Sequence, residues 1–165
     1  MLLLTSTSDL LQVVTGSAVT VDVHASWVDN ASGTITPGRT NTAITTAATT
    51  TVVASPAANT QRNVQTLLIR NKHASSSNAV TVQHSDGTTI VEHFSYTVLA
   101  GETVQYIDGD GFKVLDASGS VKFATASVTE LNTLSNAVSI VSQALSVVSA
   151  QVSVLSQAVS VVSQQ

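Results

Sequence analysis

Apolar and polar residues alternate with a period of two through much of the first 126 residues. The clearest run covers positions 19–27, where Val19, Val21, Val23, Ala25 and Trp27 are separated by Thr20, Asp22, His24 and Ser26. This alternation places the apolar side chains on one face of an extended chain, which is the pattern of a half-buried β-strand. Trp27 continues the apolar face and is therefore expected in the core.

Turn signals separate further strand-like segments. Asn30 to Gly33, Asp86-Gly87 and Asp108 to Gly111 are typical of tight turns. Strands are predicted at 51–53, 64–69, 80–84, 90–98, 103–107 and 112–115, and the Thr-rich segment 36–51, which contains Pro37, suits a loop or an edge strand. Short strands at this spacing indicate an antiparallel β-sandwich or barrel. We expect a mainly β domain over 1–126, with about eight strands and no long helix.

The pattern changes beyond residue 127. No charge, glycine or proline follows Glu130, and apolar residues recur at alternating spacings of three and four. Written as heptads, the a and d positions are Leu131, Leu134, Val138, Val141, Leu145, Val148, Val152, Leu155, Val159 and Val162. A seven-residue period keeps one seam of a supercoiled helix facing its partner. A parallel α-helical coiled-coil stalk is therefore predicted over 127–165, with these ten residues at the interface.

The apolar stripe is wider than a dimer needs. Ile140, Val147, Val154 and Val161 occupy the c positions, and alanine occupies most of the g positions. Valine at most d positions also disfavours two strands. We therefore predict a homotrimer, with or without a neighbouring layer, whose chain number and register are set by the β-domain because no e or g charge selects a partner. A β-structured stalk is the alternative, since the Val-Ser repeat is β-prone.

Composition excludes several classes of protein. Only 10% of the 165 residues are charged, the formal net charge is -4 and there is no cysteine. Disulfide frameworks and Cys-ligated zinc are excluded, and the absence of a basic patch argues against nucleic-acid binding. Because Ser and Thr interrupt every apolar run, the sequence predicts no membrane insertion.

Candidate chemistry is weak. His84 and His93 flank the predicted hairpin and could meet across it, but no metal-ligand spacing is present. The aspartates at 108, 110 and 116 lack the spacing of a calcium loop. Arg62, Arg70 and Lys72 could form a small basic patch that docks on an acidic surface, although such a cluster is more often a solvated strand end. No nucleophile motif occurs, so we predict neither an enzyme nor a cofactor.

Five segments of the β part resemble the N-terminal domain of a family of tailed-bacteriophage virion proteins. They are LTSTSD at 4–9, VVTGSAVTVDVHAS at 13–26, TPGRTNT at 36–42, NKHASSSN at 71–78 and TVQHSDGT at 81–88. The resemblance runs through residues 4–125, and the heptads are similar to the trimeric shafts of phage fibres. It implies a structural virion protein on the particle surface, on either the head or the tail, and it carries over no catalytic residue.

These observations together predict a trimeric virion fibre. Its β-domain would dock on other virion proteins (capsid, portal, neck or tail), and its shaft would project outward toward a host receptor bound by a distal tip. The in-phase ending at Gln165 suggests that the natural chain continues. The alternatives are a capsid decoration protein, which needs no tip, and a carbohydrate-binding module, which would need exposed aromatic side chains such as Trp27.

Overall fold

A computed structural model describes residues 1–122 and 128–163, with side chains of the helix described at 133 and from 135 onward. The chain divides into two units, Met1–Lys122 and Phe123–Gln165. The first unit is built from antiparallel strands and the second contains one helix. The mainly β class with a C-terminal helix is therefore confirmed.

The β-unit contains ten strands rather than the eight expected. They are β1 (Leu2–Leu4), β2 (Leu10–Thr15), β3 (Val21–Ala31), β4 (Thr34–Ile44), β5 (Thr49–Val53), β6 (Thr60–Asn71), β7 (Asn78–Ser85), β8 (Ile90–Val98), β9 (Thr103–Ile107) and β10 (Gly111–Leu115). The two additional strands are β1 and β2. The segment 36–51 lies mostly in β4, which ends a sheet, so the edge-strand alternative is confirmed there.

The strands form two antiparallel sheets. The six-stranded sheet has the order β10-β9-β6-β3-β4, and β1 pairs with the other end of β6. The four-stranded sheet has the order β5-β2-β7-β8. Both sheets contribute to one hydrophobic core, in which Val21, Leu67 and Ile69 of the first sheet and Leu11 and Val82 of the second are fully buried.

Tight hairpins connect several neighbouring strands. β3 and β4 are joined by Ser32 and Gly33, both with positive φ (51° and 87°), while Asn30 Oδ1 accepts a hydrogen bond from the Gly33 N–H. Two positive φ values in a two-residue loop match the right-handed twist of the flanking strands. The predicted turn from Asn30 to Gly33 is thus confirmed.

Besides a register shift between Leu11 and Gln12 opposite β5, two irregularities interrupt the alternation. The register shifts between Ser26 and Trp27, where β6 contributes an extra residue, and between Val82 and Gln83, where β8 contributes an extra residue at His93. A bulge inserts one residue and re-aims the side chains beside it. The first bulge keeps both Val64 and Leu67 in the core, and the second brings His93 toward the preceding strand.

The second unit contains one helix, α1 (Val128–Val162). Thirty-five residues at about 1.5 Å each give a rod of roughly 50 Å. Its last turn carries no basic residue, which leaves the C-terminal end of the helix dipole without a compensating charge. The helical alternative for the heptads is confirmed over the β-structured one.

Candidate interaction surface and polar clusters

The predicted a and d side chains of α1 lie on its surface in the single chain. The eight that the structure describes are between 53% and 73% exposed: Val138, Val141, Leu145, Val148, Val152, Leu155, Val159 and Val162. The side chains of Leu131 and Leu134 lie outside the described residues. These eight side chains form a continuous exposed apolar seam along α1.

The c positions extend this surface around the helix. Ile140, Val147, Val154 and Val161 are 58–66% exposed. A shallow groove of about 470 Å³ runs along this side, lined by Val147, Ala150, Gln151, Val154, Leu155 and Ala158. The small alanine side chains make the groove, since they leave room between the valines and the leucine.

The opposite side of α1 is polar but uncharged. Serine occupies every e position from Ser135 to Ser163, and Ser or Asn occupies the b positions. From Ser135 to Val162 the helix is therefore amphipathic without charged side chains, and its polar half can donate and accept hydrogen bonds but cannot select a partner by charge.

The length and composition of α1 also meet the requirement for crossing a bilayer. Ser135–Val162 spans 28 residues with a hydropathy of 1.7. The prediction of no membrane insertion rests on the lack of long uninterrupted apolar runs. The mean hydropathy of this segment is nevertheless high, because the hydropathy of its valines outweighs that of its serines. The serine columns nevertheless cover one complete side, whereas a lipid-embedded single helix is expected to be apolar all round.

In the β-unit, His84 and His93 lie together, as their positions on the hairpin predicted. Their ring centroids are 6.2 Å apart. The bulge at His93 explains the approach, because the extra residue turns this side chain toward β7. Both rings border a cavity of about 180 Å³ whose other walls are Leu11 and residues 1–4.

The environment of His93 disfavours protonation of its ring. Partial burial, followed by the neighbouring His84 and the N-terminal ammonium group, lowers the pKa of His93. His84 Nε2 has no hydrogen-bond partner and lies 3.7 Å from Asp9 Oδ1. The carboxylate of Asp9 instead accepts the backbone N–H groups of Thr5 and Ser6, at 2.6 and 3.0 Å.

No metal centre is assembled by the described residues. They contain no group of three or more His, Cys, Asp or Glu side chains placed to hold an ion. Asp110 pairs with Lys113, and Asp108 accepts a hydrogen bond from the Tyr106 hydroxyl at 3.2 Å. Asp116 Oδ1 accepts hydrogen bonds from the Ser118 hydroxyl and from the N–H groups of Ser118 and Ser120 in its own loop. These bonds, the one from the Ser118 hydroxyl first, lower the pKa of Asp116.

The three basic residues around β6 do not form one patch. Arg62 makes a two-pronged ion pair with Asp29, with both nitrogen-to-oxygen distances at 2.7 Å, and its guanidinium lies 4.5 Å from the centre of the Trp27 ring. Lys72 pairs with Asp22 at 3.0 Å. Two of the three charges are therefore neutralised within the unit, which favours the structural interpretation of this cluster.

The described aromatic side chains pack mainly on one another. Phe94 stacks on Phe112 with centroids 4.8 Å apart, and Tyr106 lies 5.0 Å from Phe112. Trp27 is half-buried against the core, so the expected inward position is confirmed. An exposed aromatic platform for sugar rings is not found among the residues that the structure describes.

Two buried polar residues of the segment 71–78 hold the neighbouring loops in place. Asn71 donates to the backbone carbonyls of Ser76 and Val98. Asn78 donates to the carbonyls of Ser17 and Val19 and accepts the N–H of Gly16. These two side chains satisfy backbone groups that would otherwise be buried without partners, so the segment has a clear structural role.

Glu102 was not singled out by the sequence. Its side chain is almost completely buried, accepts the Leu99 N–H at 3.0 Å and pairs with Lys122 at 2.7 Å. Lys122 also donates to the Tyr96 hydroxyl at 3.1 Å, and the two contacts raise the pKa of its ammonium group. A Gly-Glu pair at a turn gave no sequence signal for this buried carboxylate.

Comparisons with protein-family models, with curated proteins and with solved structures give no match to this chain.

Proposed function

We propose that this protein is a structural virion protein of a tailed phage, a homotrimeric fibre. Residues 1–126 form a β-sandwich that anchors to other virion proteins, and residues 127–165 form a parallel coiled-coil shaft. The observation that supports it most is the unbroken heptad seam of α1, which is exposed along its whole described length. The resemblance of the β part to phage virion proteins supplies the biological setting.

Burial of the seam provides the driving force for assembly. A valine or leucine side chain moved from water into an apolar contact contributes roughly 1.5–3 kcal/mol. Helices rich in serine and valine are weak in isolation, because both residues have mediocre helix propensity. We therefore expect formation of α1 and association of the chains to be one coupled event.

Three strands are favoured by the shape of the seam residues. Val141, Val148 and Val162 place β-branched side chains at d positions, where two-stranded coils prefer leucine. A three-stranded core also covers more of each helix than a two-stranded core. The parallel orientation follows from the fibre proposal, which keeps all three β-units at one end.

The absence of charge on the shaft assigns partner selection to the β-unit. Between Ser135 and Val162 no side chain is charged, so no interhelical salt bridge fixes register or direction. The β-unit has its own core, and internal ion pairs engage Arg62, Lys72, Lys113 and Lys122. It is suited to align three chains and to hold them on the particle, while the shaft keeps a host-binding element at a distance.

The test is the mass in solution of residues 1–165 and of a chain that ends at Ser127, measured by light scattering on a sizing column. We expect the full chain at three times 16.9 kDa. A trimeric short chain supports register-setting by the β-unit, whereas a monomeric short chain assigns trimerisation to the shaft alone.

Two results would contradict the proposal. A monomeric full chain in aqueous buffer would remove the coiled-coil shaft. Flotation of the full chain with phosphatidylcholine vesicles, with no trimer in the aqueous fraction, would assign α1 to a membrane.

A further inference from the structure

The apolar surface of α1 consists of two seams rather than one. Successive residues of an α-helix are about 100° apart, so the middle of the a and d columns and the middle of the c and g columns are separated by about 110°. In a three-stranded coil the a and d columns face the common axis. The c column then points away from that axis.

The outer seam is nearly as apolar as the inner one. Its c residues are Ile140, Val147, Val154 and Val161, all more than half exposed in the single chain, and its g residues include Ala144 and Ala158. We call these c and g residues the lateral seam. From Ile140 to Val161 it is about 32 Å long, and a trimer displays three copies of it. An exposed apolar surface of this extent marks an interaction site.

We propose that the lateral seam packs against the lateral seam of a second copy of the shaft, so that trimers associate side by side along their helices. The proposal rests on the trimer proposed above, which uses the a and d columns internally and leaves the c residues outside. It adds a second interface with its own residues.

The features of the lateral seam favour a second copy as its occupant. A seven-residue spacing sustained over four c positions is matched best by a helix with the same spacing. The absence of charge means that two copies meet without electrostatic repulsion. The groove beside Val147, Val154 and Ala158 offers a space into which a valine of the second copy can insert.

The experiment compares three full-length proteins by sedimentation equilibrium over a hundred-fold range of concentration. The first is the natural chain. The second removes the lateral seam through Ile140→Gln, Val147→Gln, Val154→Gln and Val161→Gln. The third is a matched control on the polar side, with Ser139→Gln, Ser146→Gln, Ser153→Gln and Ser160→Gln at b positions. Glutamine is a good helix former, so neither set weakens the helix itself.

We expect the natural chain and the control to rise with concentration from three copies to six or more. The lateral-seam variant is expected to stay at three copies throughout. A natural chain that remains at three copies at every concentration would overturn this inference and leave the trimer intact. The same holds if the lateral-seam variant self-associates as the control does.

Other outcomes separate the two proposals further. A natural chain that is monomeric, or whose masses are not multiples of three, would overturn both. A lateral-seam variant that falls to a monomer would show that these columns belong to the primary interface, which contradicts a separate lateral contact. Flotation of the natural chain with phosphatidylcholine vesicles, abolished in the lateral-seam variant, would assign the seam to lipid.

Discussion

The β-unit and the helix use the same few residue types to opposite effect. In the β-unit, Val13, Val21, Val80 and Val82 are fully buried within one chain. In the helix, Val138, Val141 and their equivalents are more than half exposed. Valine, alanine, serine and threonine thus give a unit that completes its own core in one region and a helix with an exposed apolar stripe in the other.

The difference arises because the two-residue period of the strands and the seven-residue period of the helix lead to different ways of covering the apolar face. An antiparallel sheet folds back and can cover its own apolar face with a second sheet. A single helix cannot cover its own stripe, and in the proposed trimer another chain covers it. Two probes report on the stability of the two regions separately. The single tryptophan, Trp27, reports unfolding of the β-unit, and far-ultraviolet circular dichroism reports the helix.

The largest effect is expected from charges in the seam. Val148→Asp with Leu155→Asp places six carboxylates around the axis of a trimer, and an unpaired buried charge costs several kcal/mol. We expect the helical signal to be lost while the Trp27 unfolding transition is unchanged. A mass that stays at three chains assigns trimerisation to the β-unit, and a mass that falls to one chain assigns it to the shaft. Light scattering and circular dichroism measure this.

The control places the same charges on the polar side, as Ser146→Asp with Ser153→Asp. These b positions face water in a trimer, so the mass should stay at three chains. Equal dissociation of both variants would indicate that net charge, rather than the seam, governs assembly.

A cavity in the β core is expected to have the reverse effect. Leu67 is fully buried, and Leu67→Ala should lower the free energy of unfolding of the β-unit by about 2–5 kcal/mol because the site loses contacts and leaves a void. Urea unfolding followed by Trp27 fluorescence measures the change. Retention of trimer mass in native buffer is expected, and the exposed Leu99→Ala is the matched control.

Loss of the Arg62 guanidinium is expected to be intermediate in size. Arg62→Met leaves Asp29 without its partner and removes the cation from the Trp27 ring, at a cost of about 2 kcal/mol for a half-buried pair. Arg62→Lys restores the charge but not the two-pronged geometry, and should recover only part of the loss. Full recovery in the lysine variant would show that charge alone matters.

A smaller effect is expected at Gly38. A Cβ added there would lie 2.5 Å from the Trp27 ring, so the ring must move. We expect Gly38→Ala to cost about 1–2 kcal/mol and to shift the emission of Trp27 toward that of a more exposed indole. Unchanged emission with unchanged stability would contradict the close approach of the ring to the backbone.

The smallest effect is expected from His93. Its pKa is lower in the folded chain than in the unfolded chain, so the unfolded state binds more protons on acidification. The stability that neutral His93 contributes is fully present above pH about 6.5, the pKa of an unperturbed histidine. It decreases as the pH falls toward the lower pKa that His93 has in the folded chain. His93→Gln should flatten the dependence of Tm on pH between 7 and 5.

The control is His24→Gln on the other sheet, which leaves the His84 and His93 pair intact. A pH profile that is flattened equally by both substitutions would assign the effect to histidine content rather than to the pair.

Sequence patterns predicted the fold best where one face is apolar and the other polar. Strand β3 and the heptads of α1 are of this kind. Strand β2 was missed because Leu10 and Val14, which lie on its less buried side, are also apolar and hide the alternation. Strand β1 was missed because three leucines in a row show no period, and its pairing with β6 is a long-range contact.

The polar clusters were predictable only in part. The hairpin indicated that His84 and His93 could meet, but the bulge at His93 has no local sequence signal. Glu102 and Asp9 acquire their roles from backbone N–H groups of loops, whose positions depend on the whole β-unit. The separation of the a and d columns from the lateral seam, in contrast, is readable directly from the spacing of residues.

No residue of α1 beyond Glu130 is charged, and this affects the conditions under which the proposed shaft would be stable. Salt screens only interactions between charges, so dilution into fresh water or transfer into brine should change the cohesion of the shaft very little through screening. Temperature should matter more, because hydrophobic association weakens on cooling. The proposed shaft is therefore expected to be insensitive to charge screening by salt and sensitive to cold.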